Sequence, residues 1–347
     1  MWPATSSSGS TGRPSASAIA CRVAADGRFA IVKRDLNMNR RRAQTLTAVA
    51  LSAIVLASCR PKPSATIVPD PALMPLIPAD TTILSGIRLT QLKQTPIYAR
   101  LKQEGKLRQL DEFREKTGID LNKDIWEVVF ASNQKTGVAL VRGQFTEGGI
   151  AGSGMEPRLE RKGIRSFPYK GYTLSGDEGS AVAFLNSSVA IAGPAGSVRS
   201  VIDARDGSKG GPPKALLDRL STIPSSNQVW LISTAPLQGS LPEGMQGPLG
   251  GLQKMPIDIR EAVLTLDLTT GAKFQADIGS GDAKAAEKLG TAIQAAIGVG
   301  RLMTKADQPD MLRFYDGIQV TKHEAQISVA ANVPEAVLEN LIDKWHP

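Results

Sequence analysis

The sequence predicts an α+β fold, built as a tandem duplication of a unit of about 130 residues, an ordinary domain size. Each unit is expected to be an antiparallel sheet with helices packed on one face. Three observations carry this. Five short motifs recur in the same order, at offsets between 134 and 146. Apolar and polar residues alternate along paired segments, the period of strands with one wet face. Stripes of helical period follow those pairs.

The recurring motifs are short. Ile77-Pro78-Ala79-Asp80-Thr81-Thr82-Ile83-Leu84 parallels Ile223-Pro224-Ser225-Ser226-Asn227-Gln228-Val229-Trp230, and Asp124-Ile125-Trp126-Glu127-Val128 parallels Asp258-Ile259-Arg260-Glu261-Ala262. Thr136-Gly137 parallels Thr270-Gly271, Tyr169-Lys170-Gly171 parallels Tyr315-Asp316-Gly317, and Val201-Ile202-Asp203 parallels Leu341-Ile342-Asp343.

In the first unit a strand over 82–89 leads to a helix around 91–115, with Tyr98, Leu101, Leu107, Leu110 and Phe113 as candidate core. A hairpin spans 125–145. Strands near 170–175 and 181–192 precede a helix carrying Val198, Val201 and Ile202. In the second unit Ala262, Leu264, Leu266 and Leu268 alternate with Val263, Thr265 and Asp267. The turn signal Thr269-Thr270-Gly271 joins them to an alternating segment through Phe274, Ala276 and Ile278. Asp282 is placed to cap a helix with Leu289, Ile293, Ala296 and Ile297 on one face. Strands are expected near 312–320 and 324–331. Pro334 opens a last helix, where it sacrifices no hydrogen bond, and Val337, Leu338, Leu341, Ile342 and Trp345 form its stripe. The resulting β-α-β-β-α-β-β-α order is related to the ferredoxin-like split βαβ. The division falls at Asp206 to Pro213, giving one repeat over 78–210 and another over 211–347.

The charge is unevenly placed. Of the formal net +8, a net +6 lies in residues 1–58 and only +2 in the remainder. A body that is nearly neutral lacks the clustered cations that neutralise phosphates, so nucleic acid is excluded as a partner. Residues 1–37 are low in complexity and are expected to be disordered and to precede a true start at Met38. Asn39-Arg40-Arg41-Arg42 and an apolar run from Leu46 to Ala57 then have the form of a secretory signal peptide over 38–58, too short to span a bilayer. The run ends in Leu56-Ala57-Ser58-Cys59.

That ending resembles the lipobox of bacterial lipoproteins. The resemblance implies cleavage between Ser58 and Cys59, diacylglycerol on the Cys59 thiol, and a cell-envelope location. Arg60 follows the cysteine, which by analogy with enteric sorting implies the outer membrane, facing the periplasm. Two or more acyl chains anchor stably where one does so only marginally. Cys21 lies upstream of the cleavage point, so no disulfide is expected in the mature chain. Residues 59–77 carry Pro61, Pro63, Pro69, Pro71 and Pro75 and are expected to form an extended tether reaching roughly 60 Å. The opening Pro78 to Thr81 and this layout are similar to uncharacterised families of secreted bacterial proteins and lipoproteins, and that similarity implies no activity.

The residues for chemistry are sparse. His323 and His346 have no second histidine at ligand spacing, and no metal or other cofactor is expected. No Gly-x-Ser-x-Gly elbow occurs. Gly148-Gly149-Ile150-Ala151-Gly152-Ser153-Gly154 lacks the Gly-Lys-Ser/Thr ending of a phosphate loop and reads as a flexible connection. Asp177-Glu178 and Asp203 with Asp206 lack the spaced oxygens of a calcium site. Trp126, Trp230 and Trp345 are expected in the core. The chain is therefore expected to be a non-enzymatic, lipid-anchored envelope protein with a binding or scaffolding role. Its expected partners are the membrane and either an envelope protein or a small ligand. The alternatives are an envelope hydrolase using two carboxylates about 5–9.5 Å apart, and a ligand-binding module with its site between the repeats.

Overall fold

The computed structural model describes residues 65–117, 119–145, 165–207, 210–236 and 259–344. The expected signal peptide over 38–58, Cys59, the glycine-rich stretch 148–154, Trp345 and His346 lie outside them, and no helix among the described residues is long and apolar enough to cross a membrane.

Twelve strands form one sheet among these residues. They are β1 (Ile83–Ile87), β2 (Ile125–Ser132), β3 (Gly137–Gly143), β4 (Arg165–Tyr169), β5 (Tyr172–Gly176) and β6 (Ala181–Asn186). Then come β7 (Val189–Gly193), β8 (Val229–Ser233), β9 (Ile259–Asp267), β10 (Ala272–Ser280), β11 (Ile318–His323) and β12 (Gln326–Val333). The order is β11-β12-β10-β9-β8-β1-β2-β3-β7-β6-β5-β4, and every pairing is antiparallel. The α+β class is therefore observed. The order outward from β8 (β8-β9-β10-β12-β11) matches the order outward from β1 (β1-β2-β3-β7-β6). Ile83 lies opposite Ser132. Val229, which aligns with Ile83 in the first motif, lies opposite Leu266, which aligns with Ser132 when the second motif is extended. At the centre Ser85 faces Leu231, the next aligned pair after Leu84 and Trp230.

The described helices are α1 (Leu89–Leu92), α2 (Pro96–Gln103), α3 (Arg108–Thr117), α4 (Ala195–Asp206), α5 (Lys214–Leu220), α6 (Ala283–Met303), α7 (Pro309–Asp316) and α8 (Glu335–Lys344). The single helix expected over 91–115 is thus three. Thr95 caps α2 by accepting the Tyr98 N–H, Pro96 opens it, and Gly105 turns the chain with φ +68°. Ile97 is the buried residue of α2, while Tyr98, Leu101, Leu107 and Leu110 are half-buried. The strand expected from 312 begins only at Ile318, because Pro309 at a first turn starts α7 instead. Asp282 caps α6 as expected, accepting the Ala285 N–H at 2.7 Å.

Helices lie on both faces of the sheet rather than one. Leu84, Ile232, Val263, Asp277 and Ser328 occupy one row and one face, by register. That face is apolar at β1, β8 and β9 and polar at β10 and β12. So α4 and α5 cover it only on the part of the sheet from β8 to β6, where Val198, Ile202, Leu216 and Leu220 join the main core. The adjacent row runs Ser233, Ala262, Ile278, Ile327 and Lys322 on the other face. There α6 sets Ala286 and Leu289 against Ile327. Helices α4, α5 and α6 each lie on the face where the strands they cover are apolar.

Candidate functional site

Residues 65–77 are not a free tether. Ile67, Leu73, Leu76 and Ile77 are buried and belong to the main core. The prolines break helix and strand, but the apolar residues between them find partners, and burying four such side chains outweighs the extended preference. The Ile67 N–H donates to the Ile223 carbonyl and the Ser225 N–H to the Ala65 carbonyl, at 2.8 and 2.7 Å. At the far end the Gly211 N–H donates to the Ile77 carbonyl at 2.8 Å. The segment is a strap that begins at the foot of β8, passes the foot of β2 and β3 at Asp70, and ends at Gly211.

Asp70 latches the middle of the strap. Its N–H donates to Glu127 Oε2 at 2.9 Å, and its Oδ2 accepts from Arg142 Nε at 3.0 Å. Its Oδ1 holds the Ala72 N–H, which turns the strap into a short 3₁₀ helix over Met74–Leu76. Glu127 is buried, and its Oε1 has no hydrogen-bond partner among the described residues. Burial pushes its carboxyl above the usual carboxylate range. The Asp70 N–H and the nearby Arg88 oppose the rise, and the Asp70 carboxylate adds to it. In the sequence Glu127 stands out only as part of a repeat. The signal that points to it is a lone carboxylate at an inward position of the alternating strand Ile125–Ser132.

A raised folded pKa contributes stability that is complete below the unfolded value and is lost as pH rises through the folded one. Glu127→Gln keeps a neutral side chain and an acceptor for Asp70. The variant is therefore expected to gain thermal stability relative to wild type as pH rises from about 4 to 8. A melting-temperature difference that does not change over this range would show that Glu127 titrates normally.

Trp126 is not a core residue. It is 38% exposed at a bulge between Ile125 and Glu127, with the Arg142 guanidinium 4.9 Å from its ring. Trp230 is buried as expected. His323 is exposed at the end of β11, and no group of three His, Cys, Asp or Glu residues among the described ones could hold a metal.

Two other polar sites contrast with this one. A groove of about 600 Å³ is lined by Pro96, Ala99, Arg100, Gln103, Glu104 and Glu339. Its two carboxylates, Glu104 and Glu339, both pair with Arg100, at 2.7 and 2.8 Å, and Glu104 also meets Lys106 at 3.1 Å. At the β4–β5 edge Arg199 lies over Phe167 and Tyr169, and Tyr169 donates to Asp203, which also pairs with Lys170 at 2.6 Å. Lys170 and the Tyr169 hydroxyl hold the Asp203 carboxyl below its ordinary range. These charges satisfy one another and leave a closed surface cluster.

No protein-family model matches the chain, and no curated protein does. Among solved structures the chain is similar to TP0453. Crystal form I shares 10% sequence identity with a TM-score of 0.47, covering 80% of this chain and 97% of that one. Crystal form III shares 9% with a TM-score of 0.48, covering 78% and 97%.

Proposed function

We propose that this protein is a lipid-anchored component of the bacterial cell envelope, processed before Cys59 and acylated on it, whose duplicated body binds or positions another envelope component without catalysis. The observation that carries the anchor is the basic block, apolar run and Leu56-Ala57-Ser58-Cys59 ending, six residues before the first docked residue of the strap. Replacing Cys59 by Ala is expected to abolish incorporation of labelled palmitate and to leave an uncleaved precursor. Equal labelling of variant and wild type would overturn the reading.

The duplication rests on the strand register. Equivalent pairs recur in β1–β2 and β8–β9 at the same offsets as the sequence motifs, and β1 pairs with β8 about Ser85 and Leu231. Glu127 and its counterpart Glu261 face the same side of the sheet, by register. Glu261 meets Arg219 at 2.5 Å, whereas Glu127 holds the strap. Two of the five motif pairs fall on unlike structures. Gly137 begins a strand where Gly271 lies in a turn, so the hairpins differ in loop length. Tyr169-Lys170-Gly171 is a strand turn, whereas Tyr315-Asp316-Gly317 ends a helix. A non-catalytic body agrees with the ion-paired carboxylates of the groove and the mutually paired charges of the β4–β5 edge.

A further inference from the structure

Among the described residues, six large apolar side chains stand exposed near one end of the sheet. By register Ile87, Val229, Leu266, Phe274, Ala331 and Ile318 form one row, running from β1 to β11. Exposed Ile87 lies in this row, and exposed Trp126 lies just beyond it on β2. Val68 lies on the strap between its hydrogen bonds to the foot of β8 and to Glu127. Helix α6 starts at the opposite end, after Ser280, and runs back along the sheet. Its last turns carry Val299, Leu302 and Met303, which are 54%, 85% and 79% exposed. Arg301 pairs with Asp316 at 2.5 Å, two residues before the row begins on β11, so this helix end lies at the same rim. Only Phe130 and Leu217 complete the exposed large apolar residues of the described chain, and Phe130 lies in mid-sheet opposite Ser85.

The described part of the strap also begins at this rim. Ala65 is fixed to Ser225, just before β8 starts at Val229. Six residue steps separate Ala65 from Cys59, which reach at most about 22 Å fully extended. An acylated Cys59 would therefore keep this rim within about 22 Å of the bilayer, whereas the opposite end is free to lie a strand length further away.

We infer that the rim docks on the bilayer surface, with the end of α6 placing Val299, Leu302 and Met303 among the lipid headgroups and upper acyl chains. The inference rests on the anchor reading for proximity, but the apolar rim exists without it. Its partner is the membrane surface and not a spanning environment, since α6 buries its other face on β11 and β12. The twist between strands makes the rim a curved one, so the far helix end is the informative position.

The test uses the full chain, expressed with its own leader, extracted and reconstituted in vesicles of phosphatidylethanolamine and phosphatidylglycerol. Met303→Cys and, at the opposite end of β11, His323→Cys each receive a nitroxide. Both sites are exposed, so neither substitution threatens folding. The expected result is a severalfold higher ratio of oxygen to nickel-chelate accessibility at 303 than at 323. Mass spectrometry of the same samples reports acylation of Cys59 separately. Equal water exposure at both sites with Cys59 acylated overturns the docking and leaves the anchor. A lipid-immersed 303 with Cys59 unmodified supports the docking and overturns the anchor. Equal exposure without acylation overturns both.

Discussion

Replacing Gly86 by alanine is expected to destabilise the protein by about 3 kcal/mol, the upper end for overpacking a core. Gly86 and Trp230 are directly opposed on β1 and β8, the central strands. A Cβ at Gly86 would fall 2.4 Å from Trp230 Cζ2 and 2.6 Å from its Nε1. The indole cannot move aside, because it is 1% exposed and packed within the main core. The glycine here answers a close approach, not a backbone torsion. Trp230→Leu alone leaves a cavity and is expected to cost about 3 kcal/mol. Combined with Gly86→Ala, it gives the new methyl group room. The double variant should therefore lose less than the two single costs together, with an interaction energy on the order of 1–2 kcal/mol in urea unfolding. Full additivity would mean that the ring and the new Cβ do not meet.

The second large effect concerns the strap. Leu73→Asp places a carboxylate at a fully buried position between the strap and the sheet. The expected loss is about 4 kcal/mol or more, since a charge without a partner is buried in place of an apolar side chain. Val68→Asp, five residues away on the same strap but exposed, should change stability by less than about 0.5 kcal/mol. Thermal unfolding of the two variants separates the readings. A freely extended tether would make both substitutions silent. Because the strap is part of the core, loss of its contacts would also release the route to Cys59, so limited proteolysis should cut Leu73→Asp within 65–77 well before wild type.

Much of the fold is legible in one dimension because strands leave a period of two and caps leave local signatures. Asp282, Pro334 and the hairpin around Thr270 act on residues within a few positions of themselves, so their sequence context was sufficient. Where the reading failed, a distant partner decided. The prolines of 61–75 favour extension locally, yet Ile67 and Leu73 have the main core to enter. Trp126 follows the pattern of a core aromatic, but a bulge re-aims the strand at that residue and Arg142 meets its ring.

The same division applies to function. The proposed anchor signal, a basic block, a short apolar run and Cys59, is a linear pattern, and nothing distant is needed to read it. The proposed duplication, too, was read from spacings along the chain. Which face of each half carries helices could not be read there, because a strand's polarity says which side is wet only once its neighbours in the sheet are known. Glu127 became a latch only when the fold brought Asp70 within 2.9 Å of it, across 57 residues. The exposed rim is of the same kind. Val68, Ile87, Trp126 and the end of α6 are ordinary surface residues when taken singly. Only sheet register sets them near one end, beside the start of the strap at Ala65.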